Sequence, residues 1–318
     1  MAERVAVVAH QRKTMGGGLG ELRRLLAAAG VPDPLWYEVR KSRKAPKRVR
    51  AALDEGAELI FVWGGDGMVQ RTVDALAGRP GVALAILPAG TANLLATNLG
   101  IPDDLPAAVE IGLRGRRRAI DLGRVNGEHF AVMAGAGLDG ALIRDADRGL
   151  KDRLGRLAYA WTGSRHVRDH AVPVRIKIEG QEWFRGAASC VLLGNVGTIT
   201  GGIRAFDDAS PHDGRLEVGV ATAEGAWQWA RTLGRMATGR SDGSPFVHVA
   251  PARKVTVKLG APLTYELDGG ARGTVTKLKA RAVPAAVTLC LPPVQPSAGS
   301  VKAAGGAGSS AGQAARDT

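Results

Sequence analysis

Cysteine is nearly absent: Cys190 and Cys290 are the only two in 318 residues, and they stand in no metal-ligand spacing. A disulfide-stapled scaffold and a thiolate zinc site are thereby excluded. Aromatic residues make up only 4%, and no strip of them alternates with basic residues. The stacking surface of a nucleic-acid-binding module is missing, so no nucleic-acid partner is expected. No apolar run reaches the ~20 residues that cross a bilayer. The stretch Met1–His10 has a short apolar core cut off by His10, Arg12 and Lys13, unlike a signal peptide. A soluble, cytoplasmic protein is expected. There is also no G-x-x-x-x-G-K-[ST], so any nucleotide is held without a P-loop.

What is plentiful is glycine, with 44 residues, and positive charge, with 43 Lys and Arg against 30 acids and a net charge of +13. Such an excess favours anionic partners: nucleotides, phosphorylated substrates or acidic lipid surfaces. A chain of this length exceeds one ordinary core, and its pattern changes partway along. Up to about residue 120, short apolar strands alternate with helices. Strands are expected at Val5–Ala9, Leu35–Val39, Glu58–Trp63 and Val82–Leu87. Helices are expected at Leu19–Ala29, Pro46–Glu55, Met68–Leu76, Thr91–Asn98 and Leu105–Leu113. This alternation predicts an α/β domain with a parallel sheet.

Beyond it the strands Ala119–Arg124, His129–Ala134, Val172–Glu179, Ala187–Leu193, Leu216–Val220, Lys254–Leu259, Thr264–Leu267 and Ala286–Leu291 are separated by polar turns. They predict a mainly antiparallel β domain, interrupted by a basic helical stretch over about 138–169. Residues 1–120 are therefore assigned to the α/β domain, 121–293 to the β-rich domain and 294–318 to a disordered Pro/Gly/Ser/Ala tail.

Two loops stand out. Gly64-Gly65-Asp66-Gly67 breaks a buried strand and opens a helix. Its glycines let backbone approach a ligand, and the N–H groups at a helix start favour phosphate. A tight strand-to-helix turn would have the same composition. Pro88-Ala89-Gly90-Thr91-Ala92-Asn93 follows the next strand, and Thr91 is placed to cap the helix after it. Both loops fall at carboxyl ends of sheet strands, where open α/β sheets bind ligands. Asp66 inside such a loop would repel phosphate unless a divalent cation or acid–base work accounts for it.

Gly64-Gly65-Asp66-Gly67 followed by Pro88-x-Gly90-Thr91-x-Asn93 resembles the diacylglycerol kinase catalytic-domain family, which includes bacterial lipid kinases and the sphingosine kinases. The likeness continues through Ile120-Asp121-Leu122-Gly123, Gly135-Ala136-Gly137-Leu138-Asp139, Ser210-Pro211-His212-Asp213-Gly214-Arg215 and Leu267-Asp268-Gly269. It implies a nucleotide domain followed by a lipid domain, with ATP in the cleft and Mg²⁺ as its companion. By the resemblance, Ser42, Gly64, Gly65, Asp66, Gly67, Met68, Gly90, Thr91 and Asn93 would border the nucleotide. Asp66 would position the metal–phosphate group or help deprotonate the lipid hydroxyl. Asp139 would meet the lipid, and Asp213, with the carbonyls of Ser210 and Arg215, would hold a structural Mg²⁺.

Gly270 departs from the pattern, because the family normally has a glutamate there as a candidate base. That leaves Asp268 or Asp66 to do the work, or leaves the enzyme weak or inactive. The function implied is an ATP-dependent lipid kinase acting on diacylglycerol or a related lipid. The alternatives are a kinase for NAD or another small alcohol, or a catalytically impaired nucleotide-binding regulator. The seven Lys and Arg within Arg40–Arg50, and those from Arg144 to Arg168, form either solvated helix faces or a surface for peripheral docking on anionic membrane. Oligomeric state is not encoded legibly.

Overall fold

The computed structural model describes residues 3–137, 171–199, 203–223, 228 and 245–293. The first part runs β1 (Val5–His10), α1 (Gly18–Ala28), β2 (Leu35–Val39), a 3-10 turn (Ser42–Lys44), α2 (Ala45–Asp54), β3 (Leu59–Gly64), α3 (Asp66–Leu76), β4 (Ala83–Pro88), α4 (Leu94–Asn98) and α5 (Leu105–Arg114). There follow β5 (Arg116–Val125), β6 (Glu128–Phe130), β7 (Met133–Ala136), β8 (Val172–Ile178), β9 (Gln181–Ala188), β10 (Cys190–Gly194), β11 (Thr198–Ile199), β12 (Ile203–Arg204), β13 (Leu216–Ala221), β14 (Val247–Ala252), β15 (Lys254–Leu267) and β16 (Gly270–Leu291).

Strands β2, β1, β3 and β4 pair in parallel in that spatial order. Every residue of β3 and β4 is buried, as parallel strands covered on both faces require. The helices pack through short apolar stripes, such as Leu22 and Leu26 on α1 and Val49 and Ala52 on α2. Helix α5 starts at a cap in which Asp104 accepts the N–H of Ala107, with proline in its first turn.

The second part is mainly antiparallel. The order β14-β13-β10-β7-β15-β16 continues through β16 into β4, so the described strands form one mixed 14-stranded sheet and a separate β11–β12 ribbon. Strand β16 links two cores. Leu278, Ala280 and Ala282 pack with β7, β8, β10, β13 and β15. Val287, Leu289 and Leu291 pack instead with β1, β3, β4 and the helices, beside Ile120 and Leu122 of β5. Each fully buried aliphatic side chain in these cores contributes ~1.5–3 kcal/mol.

Several elements differ from those expected. The expected helix Thr91–Asn98 begins only at Leu94, because Asn93 takes a left-handed conformation with φ 47°. The expected strand His129–Ala134 divides at Ala131 and Val132, whose amides turn away from the sheet toward a side chain described below. Lys254–Leu259 and Thr264–Leu267 are one strand, with the pairing register shifted between Lys258 and Leu263. Ala286–Leu291 is only the end of the 22-residue β16, the expected strand Ala187–Leu193 divides at Ser189 into the end of β9 and most of β10, and β11, β12 and β14 fall outside every expected strand. The helical stretch over 138–169, Asp139 and the tail over 294–318 lie outside the described residues.

Candidate nucleotide and acceptor site

The carboxyl ends of β1, β3 and β4 lie side by side, with Ala9 opposite Trp63 and Gly64 opposite Pro88. Both glycine-bearing loops therefore leave the sheet at one edge. They touch backbone to backbone: a Cβ on Gly90 would stand 2.4 Å from the Cα of Gly65 and 2.5 Å from Oδ1 of Asn93. No side chain fits there, so at this position glycine is demanded by the close approach of the two loops. Ser42, first in the 3-10 turn, lies against the other side of the loop. A Cβ on Gly67 would meet its Oγ at an ordinary 3.6 Å. The exposed side chains of Arg40, Lys41, Arg43 and Lys44 flank it, placing positive charge beside the loop.

Asp66 and Asn93 hold the two loops together. The Asp66 carboxylate accepts the N–H of Asn93 at 3.1 Å and of Leu94 at 2.6 Å, so the first residue of α3 caps the start of α4. Asn93 in turn accepts the N–H of Gly90 at 2.9 Å and donates to the carbonyls of Pro88 and Gly90. Thr91 is exposed and makes no side-chain cap, since that work falls to Asp66. The side chain of Met68 is 2% exposed inside the core and its N–H bonds to the carbonyl of Gly65, so Met68 turns away from the cleft. His10 ends β1 next to Gly64. Its imidazole titrates lower than usual because of burial and the charges of Lys13 and Arg12.

A second cluster is built around Asp268, which has φ 46° at the turn between β15 and β16. Its carboxylate is buried and accepts the N–H groups of Ala131, Val132 and Met133, each at 2.9 Å. These bonds explain the break between β6 and β7. Burial pushes the Asp268 carboxyl up to about 6 against the pull of the three amides, and the nearby charge of Asp66 adds to the rise. Asp268 is thus a structural tie within the site, with its oxygens committed to backbone.

Side chains on α3 join the same region. Gln70 donates to the carbonyl of His129, and Asp74 accepts both the N–H and Nδ1 of His129 at 2.8 and 2.9 Å. Burial pushes the Asp74 carboxyl up, but the bonds and charge from His129 outweigh it and hold the group below the ordinary range.

In the Ser210–Arg215 loop, Asp213 accepts the N–H of Arg215 at 2.9 Å. The buried Asp121 supports this loop, accepting from Gly214 at 2.6 Å and from Ala285 at 2.8 Å. Asp213, Asp207, Asp208 and Glu217 line a cavity of about 480 Å³ together with Arg215. An oxygen-only donor set of one carboxylate and backbone carbonyls suits Mg²⁺. Among the described residues, no three His, Cys, Asp or Glu side chains group as metal ligands.

The structure therefore brings Ser42, Gly64, Gly65, Asp66, Gly67, Gly90, Thr91 and Asn93 to one sheet edge, with Asp268 near Asp66. It sets Ser210, Asp213 and Arg215 apart on the loop held by Asp121. Sequence reasoning missed the roles of Asp121, Gln70, His129 and Arg272. Only the buried run around Ile120-Asp121-Leu122 carried a local signal, a lone acid within an apolar strand.

Comparison with known proteins agrees with this geometry. Residues 9–125 match the family model of the diacylglycerol kinase catalytic domain, and 132–291 match the YegS C-terminal NAD kinase beta sandwich-like domain. The chain belongs to the diacylglycerol kinase catalytic-domain family, with the two-part architecture of α/β domain and β-sandwich. Among its relatives, the diacylglycerol kinase of Bacillus subtilis (strain 168) is 30% identical over 69% of this chain and 73% of its own. The Salmonella paratyphi A protein named "Probable lipid kinase YegS" is 31% identical over 71% and 75%. The chain spans only 60–62% of the length of several other curated relatives. A solved diacylglycerol kinase structure from Bacillus anthracis str. Sterne shares the fold, with TM-score 0.69 and 20% identity over 92% of this chain and 97% of that one. No helix among the described residues is long and apolar enough to cross a membrane.

Proposed function

We propose that the protein is an ATP-dependent lipid kinase that phosphorylates a hydroxyl of diacylglycerol or a related lipid. One observation carries the reading: two glycine loops at adjacent carboxyl ends of a parallel sheet, locked by Asp66, in a chain of this kinase family. The family implies ATP as the phosphate donor. The lipid hydroxyl oxygen attacks the γ-phosphorus, the bond to the ADP oxygen breaks, and the hydroxyl proton passes to a carboxylate. Asp66 is the better acceptor of that proton. It stands in the glycine loop itself, whereas the Asp268 carboxylate is closed in by three backbone amides. Mg²⁺, when bound, would neutralise phosphate charge, and the Asp213 loop has the oxygen donors for a second, structural ion.

The positive charge supports docking of a cytoplasmic enzyme on anionic membrane, where its substrate resides. A second reading, a nucleotide-binding regulator with impaired transfer, is favoured by Gly270 and by the enclosed Asp268 carboxylate. Incubation with γ-labelled ATP and a panel of lipids, followed by organic extraction, separates these readings. Label in the lipid phase supports the kinase, label in a water-soluble alcohol points to a small-alcohol kinase, and bound ATP without transfer to the regulator.

A further inference from the structure

Arg272, two residues beyond Gly270, reaches across the interface between the two halves of the site. Its Nε donates to Glu128 on β6 at 2.9 Å and its Nη2 to the side-chain Oε1 of Gln70 on α3 at 3.0 Å. Its Nη1 donates to the carbonyl of Gly270 at 3.1 Å, with Ala271 next at 3.4 Å. The side chain is 13% exposed. With its N–H groups committed to acceptors on α3, β6 and the β15–β16 turn, this guanidinium is a clamp and not a spare cation for phosphate.

Gly270 leaves the guanidinium its place. A Cβ there would stand 2.9 Å from Nη1 and 3.3 Å from the carbonyl of Leu267, so a side chain at 270 and the guanidinium compete for one place. Gln70 lies one helical turn beyond Asp66, and the β15–β16 turn that Arg272 grips carries Asp268. The turn is thus tied to α3 by two routes. One runs through Asp268, residues 131–133 and the His129 bonds to Gln70 and Asp74; the other runs directly through Arg272.

We propose that Arg272 is a positioning residue, which orients the Asp268-Gly269-Gly270 turn against α3 and so sets where the acceptor hydroxyl stands relative to the glycine loop. This rests on the lipid-kinase reading above. The Asp268 route keeps the turn attached when Arg272 is removed, so loss of the clamp changes orientation more than folding. A misplacement of about 1 Å costs up to ~100-fold in rate.

The test uses the full chain with Arg272→Ala and Arg272→Lys, assayed with γ-labelled ATP and diacylglycerol in mixed micelles. Arg272→Ala is expected to lower kcat by roughly 10–100-fold while KM for ATP stays within about two-fold and the thermal midpoint moves by only a few degrees. Lysine, a point charge without the planar fork, is expected to restore less than about half of the logarithmic loss. Unchanged kcat, full rescue by lysine, or a loss explained by unfolding overturns the proposal. If the wild type labels no lipid, the kinase reading fails by itself. Hydrogen exchange then decides the clamp: in Arg272→Ala, peptides covering 266–272 should exchange faster while those covering 129–134 stay protected. Unchanged exchange at the turn rules the clamp out.

Discussion

The carboxylate of Asp66 and the backbone N–H of Leu94 meet at 2.6 Å, so the acid of one glycine loop is the helix cap of the other. Its charge therefore serves the architecture of the cleft as well as any chemistry there.

Asp66→Asn should accordingly do two things. The amide keeps one acceptor oxygen but sets an NH₂ against the second backbone donor, which costs about 1–3 kcal/mol of stability. Phosphoryl transfer should fall by at least ~100-fold through loss of the carboxylate. Chemical denaturation and the labelled-ATP assay check the two effects separately, and wild-type turnover would remove Asp66 from the mechanism.

Gly90→Ala and Gly67→Ala should part company. The first drives a methyl into the backbone of Gly65 and the Asn93 amide, an overpacking worth about 1–3 kcal/mol that splays the loops. The second meets only Ser42 at ordinary contact distance and should leave the fold stable. Thermal midpoints and ATP titrations of both variants test this, and equal behaviour would show that the loops yield easily.

Asp268 should leave a signature in the pH dependence of stability. Its folded carboxyl titrates at about 6, above the ordinary carboxylate value. The native state thus binds the proton more readily than the unfolded chain. The resulting stabilisation is complete below the unfolded value, near pH 4, and is lost as pH rises through about 6. The stability gap between wild type and Asp268→Asn should be wider at pH 4.5 than at pH 7.5. Urea midpoints at both pH values measure it; a constant gap would mean that Asp268 titrates normally.

The basic surface predicts salt-sensitive attachment. Binding to vesicles containing anionic phospholipid should weaken steeply as salt rises from about 50 to 300 mM, and should be negligible on neutral vesicles. Lys44→Glu with Lys47→Glu, both exposed, should weaken it further. Equal binding to both kinds of vesicle would return these residues to the role of solvated surface.

The parallel half of the fold was legible because its strands are short unbroken apolar runs, such as Leu59–Trp63, bounded by glycine and proline. The first part of β16 was legible in principle: Leu278, Ala280 and Ala282 alternate with Lys277, Lys279 and Arg281, as a half-buried strand requires. Glycine at 273 and proline at 284 disguised it. The loop motifs announced the site, but its wiring stayed hidden. Asp268 finds its donors 135–137 positions away, and Arg272 finds Gln70 at a separation of 202. Contacts of that kind follow from topology and leave no periodic trace in local sequence. Asp66 as a helix cap was hidden for the same reason, since its partners lie on the next strand's loop.

Strand β16 also bears on how the molecule is made. Its last residues lie parallel to β4, Thr288 beside Ala83 and Leu289 beside Leu84, although most of the chain separates them. The α/β half leaves the ribosome before the β-rich half, yet the neighbour of β4 is the last described strand to arrive. Until then the apolar rim of β4 is an open template for pairing with other chains. Maturation of the cleft therefore waits for the synthesis of β16, and a nascent chain stalled before it would be a candidate for chaperone capture.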